Sequence, residues 1–266
     1  MKILRNCKYG ALLALLSATA VGQELPTELR NFVSCPIVRD TNTVPCWLSE
    51  YEGELYYLGI QTDISADFHP PYLGHKVIVE GKISAQPRIC GGIVLEPVKI
   101  SVVAELDKNC DTILPAEDQY QIDFSPRPPG PSGGRLAFQA PPPAAAGSAP
   151  AAEELNGPRQ FTVQYSFDGK VEGTNAGDLS RILRHVETTG ATGLKIVGYQ
   201  GDLLLSNGSL LQEKSGIAQA RAEEVASLLK ASGLEHLTFD VSWEQPVAAD
   251  GIEDWKERRT VVTVLP

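Results

Sequence analysis

Beyond its first 22 residues the sequence has no stretch long and apolar enough to cross a bilayer, which takes about 20 apolar residues in a row. It has no excess of base either. Its 23 Lys and Arg face 33 Asp and Glu, a formal net charge of −10. A surface of that sign repels nucleic acid and anionic membrane, and neither is expected as a partner. Closely set cysteine pairs of the C-x-x-C kind, which structural zinc sites use, are missing. So are a phosphate loop, a dinucleotide fingerprint and a nucleophile elbow. His185 and His236 are isolated and read as surface residues. The one local cluster is Asp67, His69 and His75, spread over Asp67-Phe68-His69-Pro70-Pro71-Tyr72-Leu73-Gly74-His75. Two histidines and an acid could bind a metal, but the prolines make this a rigid loop and such loop patterns are permissive. No metal, no cofactor and no enzymatic activity are expected.

The first 22 residues hold the one marked apolar run. Lys2, Arg5 and Lys8 precede it, and the small residues Ser17-Ala18-Thr19-Ala20-Val21-Gly22 follow it. This is the layout of a secretory signal peptide, with cleavage after Ala20 or Gly22. No cysteine stands directly after either point, so a lipid anchor is not expected. Cleavage takes three positive charges from a chain of net −10 and leaves −13. Cys7 goes with the leader. Cys35, Cys46, Cys90 and Cys110 remain, an even number in an exported chain, and read as two disulfides. Four cysteines allow three pairings, and spacing does not choose among them.

Composition divides the chain. Residues 113–158 carry Pro126-Arg127-Pro128-Pro129-Gly130-Pro131 and Pro141-Pro142-Pro143-Ala144-Ala145-Ala146. Such a segment cannot bury enough apolar surface to offset its ordering entropy, and its prolines favour extended backbone. It reads as a tether between two domains, with a Pro-rich ligand for another protein as the rarer use.

Residues 24–112 read as strands, at 54–60, 76–83 and 92–105, punctuated by Gly, Pro and Asp. An all-β domain is expected, an OB-like barrel or a small sandwich, disulfide-bonded. Trp47, beside Cys46, is expected to pack over a disulfide.

Residues 159–266 alternate between periods. A strand at 160–167 puts Phe161, Val163, Tyr165 and Phe167 on one face. A helix opens at Asn175 and Asp178, buries Leu179, Ile182, Leu183 and Val186, and stops at Gly190. Residues 194–199 form a second strand. A long helix over 211–231 buries Leu211, Ala218, Ala222, Val225 and Leu229, and strands at 237–243 and 259–265 close the domain. The order βαβαββ predicts an α+β domain with a mixed sheet and both helices on one face.

Four segments carry a likeness. They are Phe167-Asp168 after the first strand, Ile196-Val197-Gly198-Tyr199-Gln200-Gly201-Asp202 at the second, Ala218-Gln219-Ala220-Arg221-Ala222-Glu223-Glu224-Val225 in the long helix, and Arg258-Arg259-Thr260-Val261-Val262 in the last strand. Together they resemble the OmpA-like peptidoglycan-associated domain over about 105 residues. The resemblance implies a non-enzymatic protein of the periplasm or outer envelope of a Gram-negative bacterium. It also implies that Asp202 and Arg221 hold the diaminopimelate of a peptidoglycan stem peptide. An aspartate accepts from the ammonium, and an arginine grips a carboxylate through two parallel bonds. Asp202 stands one residue later than the family's aspartate, with Gly201 in the earlier place.

Arg221 lies beside the buried stripe of its helix, so its charge needs a partner. That partner is either a ligand or a neighbouring acid. Arg259 reads as structural. Leu203-Leu204-Leu205, ahead of the turn Asn207-Gly208, are expected to form a short extra strand, cover the groove, or contact another envelope protein.

Overall fold

The structure is a computed structural model that describes residues 28–60, 71–120, 122, 159–171 and 175–266. The expected leader, most of the proline-rich tether, and Asp67 and His69 lie outside the described residues. An all-β region is followed by an α+β region. Among the described residues, no helix is long and apolar enough to cross a membrane.

The first region has seven strands: β1 (Leu29–Ser34), β2 (Pro36–Arg39), β3 (Cys46–Tyr51), β4 (Glu54–Gly59), β5 (His75–Ile83), β6 (Ile93–Leu106) and β7 (Ile113–Leu114). They run in the linear order β1-β5-β6-β4-β3-β2-β7, and among the described residues no ladder joins β1 to β7. Long β6 pairs antiparallel with β5 along most of its length and parallel with β4 at Ile93 and Val94. This lets the two ends of the sheet fold toward each other. Phe32 of β1 stacks on Tyr51 of β3 at 4.8 Å between ring centroids, over a core of Tyr56, Leu58, Val77, Val79 and Leu95. The ladder slips between Gly81 and Ile83, opposite Pro97. Gly81 is required there, because a Cβ would lie 2.7 Å from the Pro97 carbonyl oxygen.

Cys35 pairs with Cys110 and Cys46 with Cys90. Two such bonds place the folding of this chain in an oxidising, exported compartment. Strand alternation puts Cys46 and Leu48 in a second small core, while Trp47 points the other way and packs against the Phe32 cluster, away from the disulfide. The domain also runs past residue 112. Ile113 and Leu114 pair parallel with β2, the Arg39 guanidinium lies 3.9 Å over the Tyr120 ring, and Ile122 packs under β3. Composition hid this, because a two-residue strand held by main-chain bonds needs no side-chain pattern.

The second region contains β8 (Arg159–Gln164), α1 (Ala176–Thr189), β9 (Gly193–Gly198), a hairpin of β10 (Leu203–Leu204) and β11 (Leu210–Leu211), α2 (Ile217–Leu229), β12 (Thr238–Trp243) and β13 (Arg259–Leu265). The main sheet has the order β12-β9-β13-β8, with β12 and β9 parallel and the other pairs antiparallel. Ile182 and Val186 of α1, and Ala222, Val225 and Leu229 of α2, share one core with Val163, Leu194, Ile196, Val262 and Val264. Both helices therefore cover the same face of the mixed sheet, as the alternating periods predict. Gly190 ends α1 in the left-handed conformation, with φ 63°. Asn175 sits at the α1 start but donates from Nδ2 to the Gln164 carbonyl instead of capping the helix. Helix α2 begins six residues later than the sequence pattern suggests, because Leu210 and Leu211 belong to the hairpin. Gly198 lets α2 lie against β9: a Cβ there would sit 2.0 Å from the Ala218 carbonyl oxygen.

The two regions are joined by a built interface. Leu203 and Phe167 are buried with Ile78 of β5, and Val33, Val103, Leu205 and Leu211 close the cluster. Phe167 thus leaves the face it was expected to share with Val163 and Tyr165, and its N–H donates to Ser101 Oγ at 2.8 Å. The hairpin also covers the edge strand β1. Ser206 N–H donates to the Asn31 carbonyl at 2.7 Å, and Asn31 Nδ2 donates to the Leu204 and Gly251 carbonyls. Arg258 reaches across to Glu80 at 2.5 Å, with 1% and 3% of the two side chains exposed.

Candidate functional site

Arg221 leaves the inner face of α2 and enters a fully enclosed site. All five of its N–H donors are used. Nε donates to Gly169 O at 2.9 Å, Nη1 to Tyr199 O at 3.0 Å and Nη2 to Ser166 O at 3.3 Å. The remaining two run in parallel to the Glu213 carboxylate, Nη1 to Oε2 at 2.8 Å and Nη2 to Oε1 at 2.6 Å. Both side chains of this pair are 0% exposed. Tyr165 lies beneath, with its ring centroid 4.9 Å from the guanidinium carbon. Burial pushes the Tyr165 hydroxyl up to about 12, so it stays protonated and donates to Thr260 Oγ1.

The Glu213 carboxylate is completed from the main chain. Gly201 N–H donates to Oε2 and Asp168 N–H to Oε1, each at 2.8 Å. Four donors on one carboxylate make this a buried pair with its acceptors well satisfied, the condition under which such a pair is tolerated. Gly201 is needed at this point: a Cβ would lie 2.9 Å from Arg258 Cγ and 3.0 Å from Asp254 O. The glycine that displaces the aspartate by one residue therefore has a packing reason.

Asp202 faces the same residue from the other side. Its Oδ1 accepts the Glu213 main-chain N–H at 3.1 Å and Gln200 Nε2 at 3.2 Å. Asp168 does the same one residue on, accepting Lys214 N–H at 2.7 Å. The pair singled out by the resemblance thus comes together around Glu213. Asp202 takes its N–H, and Arg221 takes its carboxylate. Asp202 also lines an open groove with Gln200, Gln212, Gln219, Trp243 and Gln245, whereas Arg221 lies behind Glu213 and does not reach it.

Glu213 is the residue that sequence reasoning did not single out. It lies in the loop ahead of α2, outside any periodic pattern, eight positions before Arg221. The only signal was the need of a buried arginine for an acid.

The other expected residues take structural places. Arg258 is the interdomain cation. Arg259 donates to the Lys256 carbonyl at 2.7 Å and lies over the Tyr199 ring at 4.6 Å. His185, expected at the surface, is buried beside the Phe161 ring at 5.4 Å, and desolvation lowers its pKa. His75 Nδ1 lies 2.9 Å from the Val103 carbonyl oxygen. Of the three leucines, Leu203 and Leu204 form a short strand, and Leu203 and Leu205 face the first domain instead of the groove. Among the described residues, no group of three or more His, Cys, Asp and Glu side chains is arranged to hold a metal ion. No protein-family model matches the chain, and no curated protein matches it.

Proposed function

We propose that this is a non-enzymatic, exported envelope protein whose OmpA-like second domain works as a protein interaction module, its ligand-holding pair filled from within by Glu213. The double engagement of Glu213 carries this reading. An N–H on an aspartate and a carboxylate on an arginine are the contacts the pair would otherwise make with diaminopimelate. An incoming carboxylate would have to displace a buried ion pair, and stripping one partner from such a pair costs about 3–5 kcal/mol. The leucine-rich hairpin is committed to the first domain, so contact surfaces for partners lie elsewhere. The periplasm of a Gram-negative bacterium is the compartment that fits both the disulfides and the OmpA-like pattern.

A second reading is a tether that holds the β domain at peptidoglycan. It is favoured by the open groove at Asp202, where the amides of Gln200, Gln212, Gln219 and Gln245 suit the peptide groups of a stem peptide. Incubation of the purified full chain with isolated cell walls separates the two. The chain is expected to stay in the supernatant. Retention on the walls that disappears in Asp202→Ala would overturn the first reading in favour of the second.

A further inference from the structure

Strand β12 ends the second sheet, and among the described residues nothing pairs with its outer side. The parallel ladder to β9 decides which groups are left over. Thr238 N–H donates to Thr192 O and Glu244 N–H to Gly198 O, so residues 238, 240, 242 and 244 turn their main-chain groups inward. Phe239, Val241 and Trp243 turn theirs outward. The same three side chains lie on the helix-covered face, because Phe239 and Val241 pack on the core shared with α1 and α2. Beside them α2 and β12 leave a cleft of about 320 Å³, lined by Glu223, Ala226, Ser227, Lys230, Val241 and Trp243. Trp243 is 45% exposed, a large apolar surface set at an unpaired strand edge.

We infer that the β12 edge is a docking site for an extended basic segment of a partner protein, added to the sheet as a further strand. This inference rests on the reading of the chain as an interaction module. Main-chain bonding supplies the register, and alternation supplies the specificity. Side chains of the added strand on the helix face enter the cleft against Val241 and Trp243, which suits aliphatic residues. Those on the opposite face come beside Asp240, which is exposed and stands next to Lys195 of β9. Glu223 lines the cleft, Glu244 follows Trp243 at the end of the strand, and Lys230 lies over the Phe239 ring at 4.8 Å. Three acids, Glu223, Asp240 and Glu244, against two bases, Lys195 and Lys230, leave this edge net negative, like the whole chain at −10. That selects lysine or arginine at the alternate positions and steers their approach. It also disfavours a second copy of this chain, which carries the same negative charge.

The test uses the full chain and a capped peptide of alternating lysine and valine, about eight residues long, the length of an ordinary strand. Binding is followed by calorimetry and by the amide resonances of Phe239, Val241 and Trp243. The expected result is salt-sensitive binding that shifts those three amides. Val241→Pro removes one outward N–H and no bond to β9, and is expected to weaken binding about tenfold, the loss of one good main-chain bond. A peptide methylated on alternate amide nitrogens keeps its charge and loses its ladder, so it is expected not to bind. Equal binding by the methylated peptide, or by a glutamate–valine peptide, would overturn the proposal without any protein variant. Failure of the lysine–valine peptide to bind would also overturn it, and would leave the module reading to the cell-wall assay.

Discussion

Glu80 and Arg258 meet where the two domains join, and the energetics of that pair can be tested in detail. Both side chains are nearly sealed from water, and Glu80 Oε1 and Arg258 Nε have no hydrogen-bond partner among the described residues. Burial raises the Glu80 pKa from its ordinary 4.5, against the pull of Arg258, with Asp254 and Glu213 adding smaller pushes in the same direction. The two residues should therefore fail differently. Glu80→Leu leaves a guanidinium that cannot give up its proton, so it should cost about 3–5 kcal/mol at any pH from 5 to 8. At about 2–4 °C per kcal/mol for a chain of this size, the melting temperature should fall by about 6–20 °C. Arg258→Met leaves a carboxyl that can take up a proton. Its pKa rises further, so the cost should be small at pH 5 and grow toward pH 8.

In the wild type the same linkage holds in milder form. A raised carboxyl pKa gives stability that is fully present below pH 4.5 and is lost as pH rises through the folded value. The double variant Glu80→Leu with Arg258→Met should recover most of the loss, because apolar replacements of a buried pair are often neutral or stabilising. Urea unfolding at pH 5, 7 and 8, read by circular dichroism, measures all four proteins. Additive single losses, or an Arg258→Met cost that does not change with pH, would refute the reasoning.

Glu213→Ala should destabilise the protein by about 3–5 kcal/mol, since it strips the bidentate partner from a buried arginine, and Glu213→Gln by less; denaturant midpoints decide this. Gly198→Ala should lower the melting temperature, because its Cβ would press on the Ala218 carbonyl oxygen and push α2 off β9, an overpacking cost of about 1–3 kcal/mol. Replacing Cys46 and Cys90 by Ala opens a loop with a sequence separation of 44 and should cost about 4 kcal/mol of unfolding free energy by chain entropy, seen as a shift in urea midpoint.

Period alone determined much of this protein. The alternation of Val77 and Val79, and the run through residues 92–105, gave strands β5 and β6 almost to the residue. The stripe of Ile182 and Val186 and that of Ala222, Val225 and Leu229 gave both helices and the face they cover. These features are local, because a helix or strand repeats its geometry every few residues and the apolar pattern repeats with it. The four cysteines announced two bonds but not their pairing, since loop closure depends on where distant strands lie.

Tertiary structure alone decided the rest. Nothing near Arg221 in sequence shows that Glu213 will fill its grip, nor near Arg258 that its acid is Glu80, 178 positions away. The leucines of the β10–β11 hairpin were visible as an oddity. Only the neighbouring domain, with Ile78 and Val33 offered at the right place, turned them into an interface. Buried charge and exposed apolar surface each demand a partner. The sequence states the demand, and the fold supplies the answer.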